Sequence, residues 1–179
     1  IARSMCKTVR GMKAAGRPVE LYAVASRDID KAVCFAREQG VRRAFGSYED
    51  MLADPAVELV YIATPHSHHY EHIMLCLQAG KHVLCEKPMA VNTAEAEEMF
   101  RCAKENGVLL MEAMWARLVP GTLKMLELVK NGILGDILAV EGKFCYAMDE
   151  DEMDHHVFKP ENGGGSLLAV GVYGLNFAS

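Results

Sequence analysis

The sequence has no Cys-x-x-Cys pair, no excess of basic residues and no apolar stretch that resembles a membrane span. Its six cysteines, Cys6, Cys34, Cys76, Cys85, Cys102 and Cys145, are scattered. That pattern fits neither a zinc ribbon nor a dense disulfide framework, and it favours reduced thiols in a cytoplasmic protein. The 19 Lys and Arg against 24 Asp and Glu leave a formal charge of -5, without the surplus that coating a phosphate backbone needs. Neither nucleic acid nor a membrane is expected as a partner. Nor does the N-terminal stretch look like a secretory leader, because Arg3, Lys7, Arg10 and Lys13 recur at helical spacing instead of preceding an apolar core. The chain opens at Ile1-Ala2 without an initiator Met and ends at Ser179 inside an apolar segment, so it reads as a piece of a longer protein.

What is present is the composition of a packed domain: 179 residues, 51% hydrophobic and 24% charged. Leu21 to Ala25 is a short apolar run before the polar Ser26-Arg27-Asp28, the profile of a buried strand. A helix is expected from Asp30 to Gln39, its apolar face carried by Ala32, Val33, Phe35 and Ala36, with Gly40 as its C-cap. Ser47-x-x-Asp50 looks like a capping box for a short helix stopped at Asp54-Pro55. The unit then repeats. Val57 to Ala63 is strand-like, His69 to Gln78 helix-like, and His82 to Cys85 strand-like again. Asn92-Thr93 caps a helix through Glu105 whose buried face would hold Ala96, Met99, Phe100 and Ala103, and Val108 to Met111 follows as a strand. This alternation predicts an α/β fold with a doubly wound parallel sheet.

After Met111 the pattern changes. A helix is expected from about Gly121 to Asn131, then a longer strand from Ile137 to Tyr146 with Ile137, Ala139, Glu141, Lys143 and Cys145 on one face. Met148 to Glu161 reads as acidic loop, and Gly163-Gly164-Gly165 opens a further helix. The domain boundary falls near Trp115 to Pro120, giving a first domain over residues 1–117 and the start of a second over 118–179.

In such a sheet, ligands bind beyond the carboxyl ends of the strands, which directs attention to four places. Ser26-Arg27 offers a hydroxyl and a guanidinium fork, donors suited to the 2′-phosphate of NADP more than to the ribose diol of NAD; a solvated surface arginine is the alternative. Glu86-Lys87-Pro88 follows a buried strand, and a lysine there could move a proton if burial lowers its pKa; a structural Glu-Lys pair on a loop is the bland reading. Thr64-Pro65-His66 opens a histidine-rich turn in which His68 and His72 would share a helix face. A metal site there is the weaker reading, because no acidic or cysteine ligand set accompanies the histidines. His155-His156 is expected in solvated loop. The fourth place is Glu112-Ala113-Met114-Trp115-x-Arg117. Tyr173 reads as a core aromatic by pattern alone, but beside a lysine its phenol could exchange a proton with a substrate oxygen.

These segments together resemble the Gfo/Idh/MocA oxidoreductases, and within them most the trans-1,2-dihydrobenzene-1,2-diol dehydrogenase and D-xylose dehydrogenase group. The resemblance rests on Ala23-Val24-Ala25-Ser26-Arg27, Tyr61-Ile62-Ala63-Thr64-Pro65-His66-Ser67-x-His69-Tyr70, Ala79-Gly80-Lys81-His82-Val83-Leu84-Cys85-Glu86-Lys87-Pro88, Met111-Glu112-Ala113-Met114-Trp115-x-Arg117 and Gly164-Gly165-Ser166-Leu167-Leu168, in that order. It implies a Rossmann domain, its first strand and Gly-x-Gly-x-x-Ala turn lying just before Ala2, followed by an open-faced α/β domain that makes a homo-oligomer through its sheet. It also implies hydride transfer between NADP, or NAD, and a hydroxyl-bearing carbon of a small sugar or cyclic diol. On that model Lys87 and Tyr173 touch the reacting hydroxyl. Ala2, Ser26, Arg27, Thr64, Pro65, His66, His69, Glu86, Lys87, Trp115 and Arg117 line the cofactor site, and no metal is needed. Ala169 departs from the family pattern, which usually has Asp there. A catalytically silent dinucleotide-binding sensor of the same family is the alternative.

Overall fold

Helices and strands alternate from the first residues. The computed structural model describes residues 1–145, 147–149, 154 and 156–179. Its first part runs α1 (Ala2–Ala14), β1 (Ala23–Ala25), α2 (Ile29–Gln39), β2 (Arg43–Phe45), α3 (Tyr48–Leu52) and β3 (Leu59–Ile62). It continues through α4 (His69–Gln78), β4 (His82–Cys85), α5 (Thr93–Glu105) and β5 (Leu110–Glu112). Local chemistry sets these boundaries. Asp28, Ser47 and Asn92 each accept the backbone N–H three residues on, from Lys31 (3.1 Å), Asp50 (3.1 Å) and Glu95 (2.9 Å). Such caps contribute about 1 kcal/mol each. Gly40 ends α2 at φ 65°, a left-handed position that glycine occupies without steric cost.

The strands pair in parallel as two sheets, β1-β2 and β3-β4-β5. β2 is a strand that the sequence pattern did not announce; it registers Ala25 against Phe45. In the larger sheet, Ile62 pairs with Cys85 and Cys85 with Glu112, so the turns leaving β3, β4 and β5 emerge side by side at one edge. Beneath them, α4 and α5 pack on the sheet around Ile62, Ile73, Leu77, Val83, Cys85 and Met99. Ile73, Leu77 and Met99 have no exposed surface, and burying each stabilises the fold by about 1.5–3 kcal/mol.

Three expectations need correction. Val33 and Phe100 are exposed rather than core-facing, and Cys102 takes the buried place beside Met99 and Ala103. The expected strand from Ile137 does not form: residues 137–145 carry no ladder and are exposed, and Tyr146 lies outside the described residues. A strand is defined by a neighbour that satisfies its N–H and C=O groups, and none among the described residues pairs with this segment. Third, the chain after Gly165 first makes a π-helical turn, Leu167–Gly171, before α7 (Val172–Ala178). α6 (Pro120–Lys130) matches the expected helix, with Pro120 in its first turn. His155 lies outside the described residues, as do residues 150–153 of the expected acidic loop. Among the described residues no helix is long and apolar enough to cross a membrane.

Candidate active site

The turn that leaves β4 carries Glu86 and Lys87 into the space below α7. Lys87 is joined to Pro88 by a cis peptide bond. Its half-buried ammonium donates to the Ala169 carbonyl at 2.5 Å and lies 4.9 Å from the centre of the Tyr173 ring. Burial pushes the Lys87 pKa down, and the nearby carboxylates of Glu86 and Glu112 oppose that shift. A lysine so placed holds a positive charge in a poorly solvated site without being locked into a salt bridge.

Tyr173 meets Lys87 through its ring face, not through its hydroxyl. The hydroxyl instead accepts from Trp115 Nε1 at 3.0 Å, with the two rings edge to face at 5.8 Å. Phe144 stacks on the same ring, with centroids 5.0 Å apart. Phe144 and Ala169 also line a cavity of about 670 Å³, together with Val157, Phe158, Ser166 and Val170. The cavity therefore reaches Ala169, one partner of Lys87, and Phe144, which stacks on the other, while Lys87 and Tyr173 themselves are not part of its largely apolar lining.

Glu86 accepts from the Tyr61 hydroxyl. Tyr61 pairs with Leu84 in the sheet, which places it diagonally across from Glu86 on the same face. Burial and then the Glu86 carboxylate push the Tyr61 phenol above its ordinary value, so it stays a donor. Burial, with Glu86 and Glu112 adding, likewise pushes the Cys85 thiol up, and Cys85 is no nucleophile at neutral pH.

The turn after β3 holds the second set. Thr64 Oγ1 lies 3.0 Å from His72 Nδ1, and His66 Nδ1 lies 3.2 Å from the Gly163 carbonyl, tying this turn to the far end of the chain. Pro65 is exposed between them. His72 is half-buried, and burial, followed by His68 and with Arg27 contributing, holds its imidazole below the ordinary range. His69 differs from the expectation of a cofactor contact. Its side chain is wholly buried behind the turn, with Nδ1 2.7 Å from the Pro88 carbonyl and Nε2 2.9 Å from the Thr64 carbonyl, and it presents no surface to a ligand.

At the end of β1, Ser26 Oγ accepts the Asp28 N–H (3.2 Å), and Arg27 projects into solvent. Asp28, the acid nearest the strand tip, caps α2 and pairs with Lys31 at 3.3 Å. Ala2 opens α1. Arg117 donates to Ser179 Oγ at 2.8 Å. The structure thus gathers Lys87, Tyr173 and Trp115 at one place, and Thr64, His66 and Glu86 on the turns beside it. Ser26 and Arg27 stand at the end of the other sheet. Among the described residues no cluster of three or more His, Cys, Asp or Glu side chains could hold a metal ion.

The Ala169 carbonyl and Glu112 were not picked out as partners of the lysine turn. The first is a main-chain atom and leaves no trace in residue type. The second could have been found from its place opposite Cys85, one residue before Glu86.

Comparison with known proteins agrees with this layout. Residues 4–114 match the model of the oxidoreductase family with an NAD-binding Rossmann fold, Gfo/Idh/MocA, and residues 122–179 match the model of a Gfo/Idh/MocA C-terminal domain. The chain is 40% identical over 163 residues to trans-1,2-dihydrobenzene-1,2-diol dehydrogenase of Mus musculus, covering 89% of this chain and 47% of that protein. It spans about half the length of the curated relatives it matches. Among solved structures, levoglucosan dehydrogenase in complex with NADH and levoglucosan superposes with a TM-score of 0.82 at 25% identity, covering 89% of this chain and 44% of that one. KijD10, a 3-ketoreductase from Actinomadura kijaniata solved with NADP, gives a TM-score of 0.81 at 32% identity over 91% of this chain and 50% of that one. The α/β architecture, the parallel strands and both family models lead to one assignment: the chain belongs to the Gfo/Idh/MocA oxidoreductase family.

Proposed function

We propose that the whole protein is an NADP-preferring dehydrogenase acting on a hydroxyl-bearing carbon of a cyclic diol or sugar, with Lys87 and Tyr173 at the reacting hydroxyl. The observation that carries this reading is the placement of the Lys87 ammonium, held by the Ala169 carbonyl against the Tyr173 ring beside the cavity. The relatives that bear dehydrogenase names, and the neighbours solved with NADH or NADP, support the same reaction class.

The donor set at the dinucleotide edge fits such a cofactor. Asp28 is engaged as a helix cap and is poorly placed to take a ribose diol, whereas the Ser26 hydroxyl and the exposed Arg27 guanidinium suit a 2′-phosphate. A bound nicotinamide supplies the hydride donor or acceptor. The protein's own groups handle the proton: the Tyr173 hydroxyl, oriented by Trp115, exchanges it with the substrate hydroxyl, and Lys87 places positive charge where oxygen becomes anionic. The apolar lining from Phe144, Val157 and Phe158 favours a ring with few hydroxyls over a fully hydroxylated sugar.

Lys87→Met tests the assignment. Turnover is expected to fall about 10³-fold while NADPH binding is retained; a variant with full turnover overturns the role. Ala169, in place of the family's usual Asp, favours a second reading, a silent sensor that binds dinucleotide. Absorbance at the reduced-nicotinamide band with a panel of aldoses, inositols and diols separates the two. NADPH binding without turnover of any of them supports the sensor.

A further inference from the structure

The peptide unit that follows Lys87 is gripped at both of its polar atoms by side chains. His69 Nδ1 lies 2.7 Å from the Pro88 carbonyl, and Glu112 Oε1 accepts the Met89 N–H at 2.8 Å. The carbonyl and the N–H belong to one peptide plane. The two side chains come from different elements, His69 from the start of α4 and Glu112 from the end of β5. Most of this lies inside the protein: Pro88 is buried, Met89 is 7% exposed and His69 has no exposed surface, while Glu112 is half-buried. The other ring nitrogen of His69 reaches the Thr64 carbonyl, so one imidazole spans the β3 and β4 turns.

A buried peptide group must be hydrogen-bonded, and backbone partners would have been enough. Here both bonds come from side chains on the elements flanking β4, so the plane cannot rotate unless a helix or a strand moves with it. We infer that His69 and Glu112 are positioning residues that clamp the Pro88–Met89 peptide plane and thereby fix the direction in which Lys87 projects onto Ala169 and Tyr173. The inference rests on the reading of Lys87 given above for its catalytic consequence, but not for its geometry. Misplacing a reacting group by about 1 Å can cost about 10²-fold in rate, so the clamp matters to turnover as well as to folding.

Charge gives a second handle. The groups facing Lys87 are Glu86 from the end of β4, Glu112 from β5, the Ala169 carbonyl from the π-helical turn and the Tyr173 ring from α7; Tyr61 from β3 reaches it only through Glu86. Glu112→Gln keeps an oxygen for the Met89 N–H but removes one of the two carboxylate charges that hold the ammonium's pKa up. Glu112→Ala removes both.

The test follows the Lys87 ε-methylene signal by NMR in the whole protein, assigned by its loss in Lys87→Met, alongside turnover with NADPH. In the wild type that signal is expected to be displaced upfield by the Tyr173 ring, which lies 4.9 Å from the ammonium. His69→Ala and Glu112→Ala are expected to bring it back to the position of a solvated lysine and to lower turnover about 10–10²-fold. Glu112→Gln is expected to keep the ring-displaced signal while its titration, and the Lys87-dependent limb of the pH–rate profile, move to lower pH. His69→Asn, which preserves a donor near Nδ1, covers the case in which His69→Ala does not fold, and it is expected to keep the displaced signal. A Lys87 signal unmoved in both alanine variants overturns the clamp. If the signal moves while Lys87→Met keeps full turnover, the clamp stands and the catalytic reading of Lys87 falls.

Discussion

Up to Met114 the chain buries its apolar side chains; beyond it the chain displays them. Seventeen of the buried apolar residues fall in the first part, and among the described residues Ala169 alone represents the second. Leu123, Leu126, Ile133 and Leu134 around α6 are all exposed, and Leu138 retains 94% of its surface. Both parts make helices where helices are expected, because a helix closes its hydrogen bonds within itself. Among the described residues only the first part makes strands, because a strand needs partners. The second part meets the first through main-chain carbonyls, Gly163 to His66 and Ala169 to Lys87, and through the Tyr173 ring beneath the Lys87 ammonium. The candidate site is thus one wall of packed core and one wall of docked backbone.

Substitutions on the two sides should expose that difference. Leu77, wholly buried between α4 and the sheet, lies on the packed side. Leu77→Ala should cost about 2–5 kcal/mol, read as a lowered urea midpoint. A loss under about 1 kcal/mol would mean that the packed wall is looser than its burial indicates. On the docked side, Gly163 sits at φ 70°, and a Cβ there would stand 3.0 Å from His66 Cβ and 3.2 Å from Val91 Cγ1. Gly163→Ala should cost about 1–2 kcal/mol, an opening of the docked segment about 5–30 times more populated. Limited proteolysis within 156–165 would report it, with the urea midpoint of the core nearly unchanged. Equal shifts in both readouts would merge the two walls into one cooperative unit. The smallest effect is expected at Leu138. Leu138→Ser in this chain should change stability by less than about 0.5 kcal/mol, and a larger loss would show a burial that the structure does not contain.

The same contrast explains what could be read from sequence. β1, α2, α4, β4 and α5 were legible because their signals are local: Asn92 before a periodic run, Gly40 after one, short apolar runs between them. β2 was not, since Arg43, Ala44 and Phe45 carry no period and owe their state to pairing with β1. The segment from Ile137 failed in the opposite direction: its alternation is real, but alternation does not make a ladder. At the site, Lys87 and Tyr173 were legible as residue types, and their neighbourhood was not. His69 was expected at the cofactor only through the family resemblance, yet its ring is buried between two carbonyls. Glu112 stood out at its strand end, but its bond to the Met89 N–H, and the contacts of Tyr61 and Phe144, came to light only once the strands and α7 were brought together.

The partner of the Lys87 ammonium is an oxygen of the main chain, contributed by Ala169 from within a π-helical turn. Such an acceptor is indifferent to residue identity. Related sequences could exchange the side chain at this place freely without withdrawing the contact, and a search for compensating pairs would find nothing to couple. What the contact does constrain is length. One residue gained or lost between Gly165 and Tyr173 turns the following carbonyls by about a quarter of a helical turn and points a different oxygen at the lysine. Drift in this lineage is therefore expected to be permissive in spelling and strict in spacing along that short stretch.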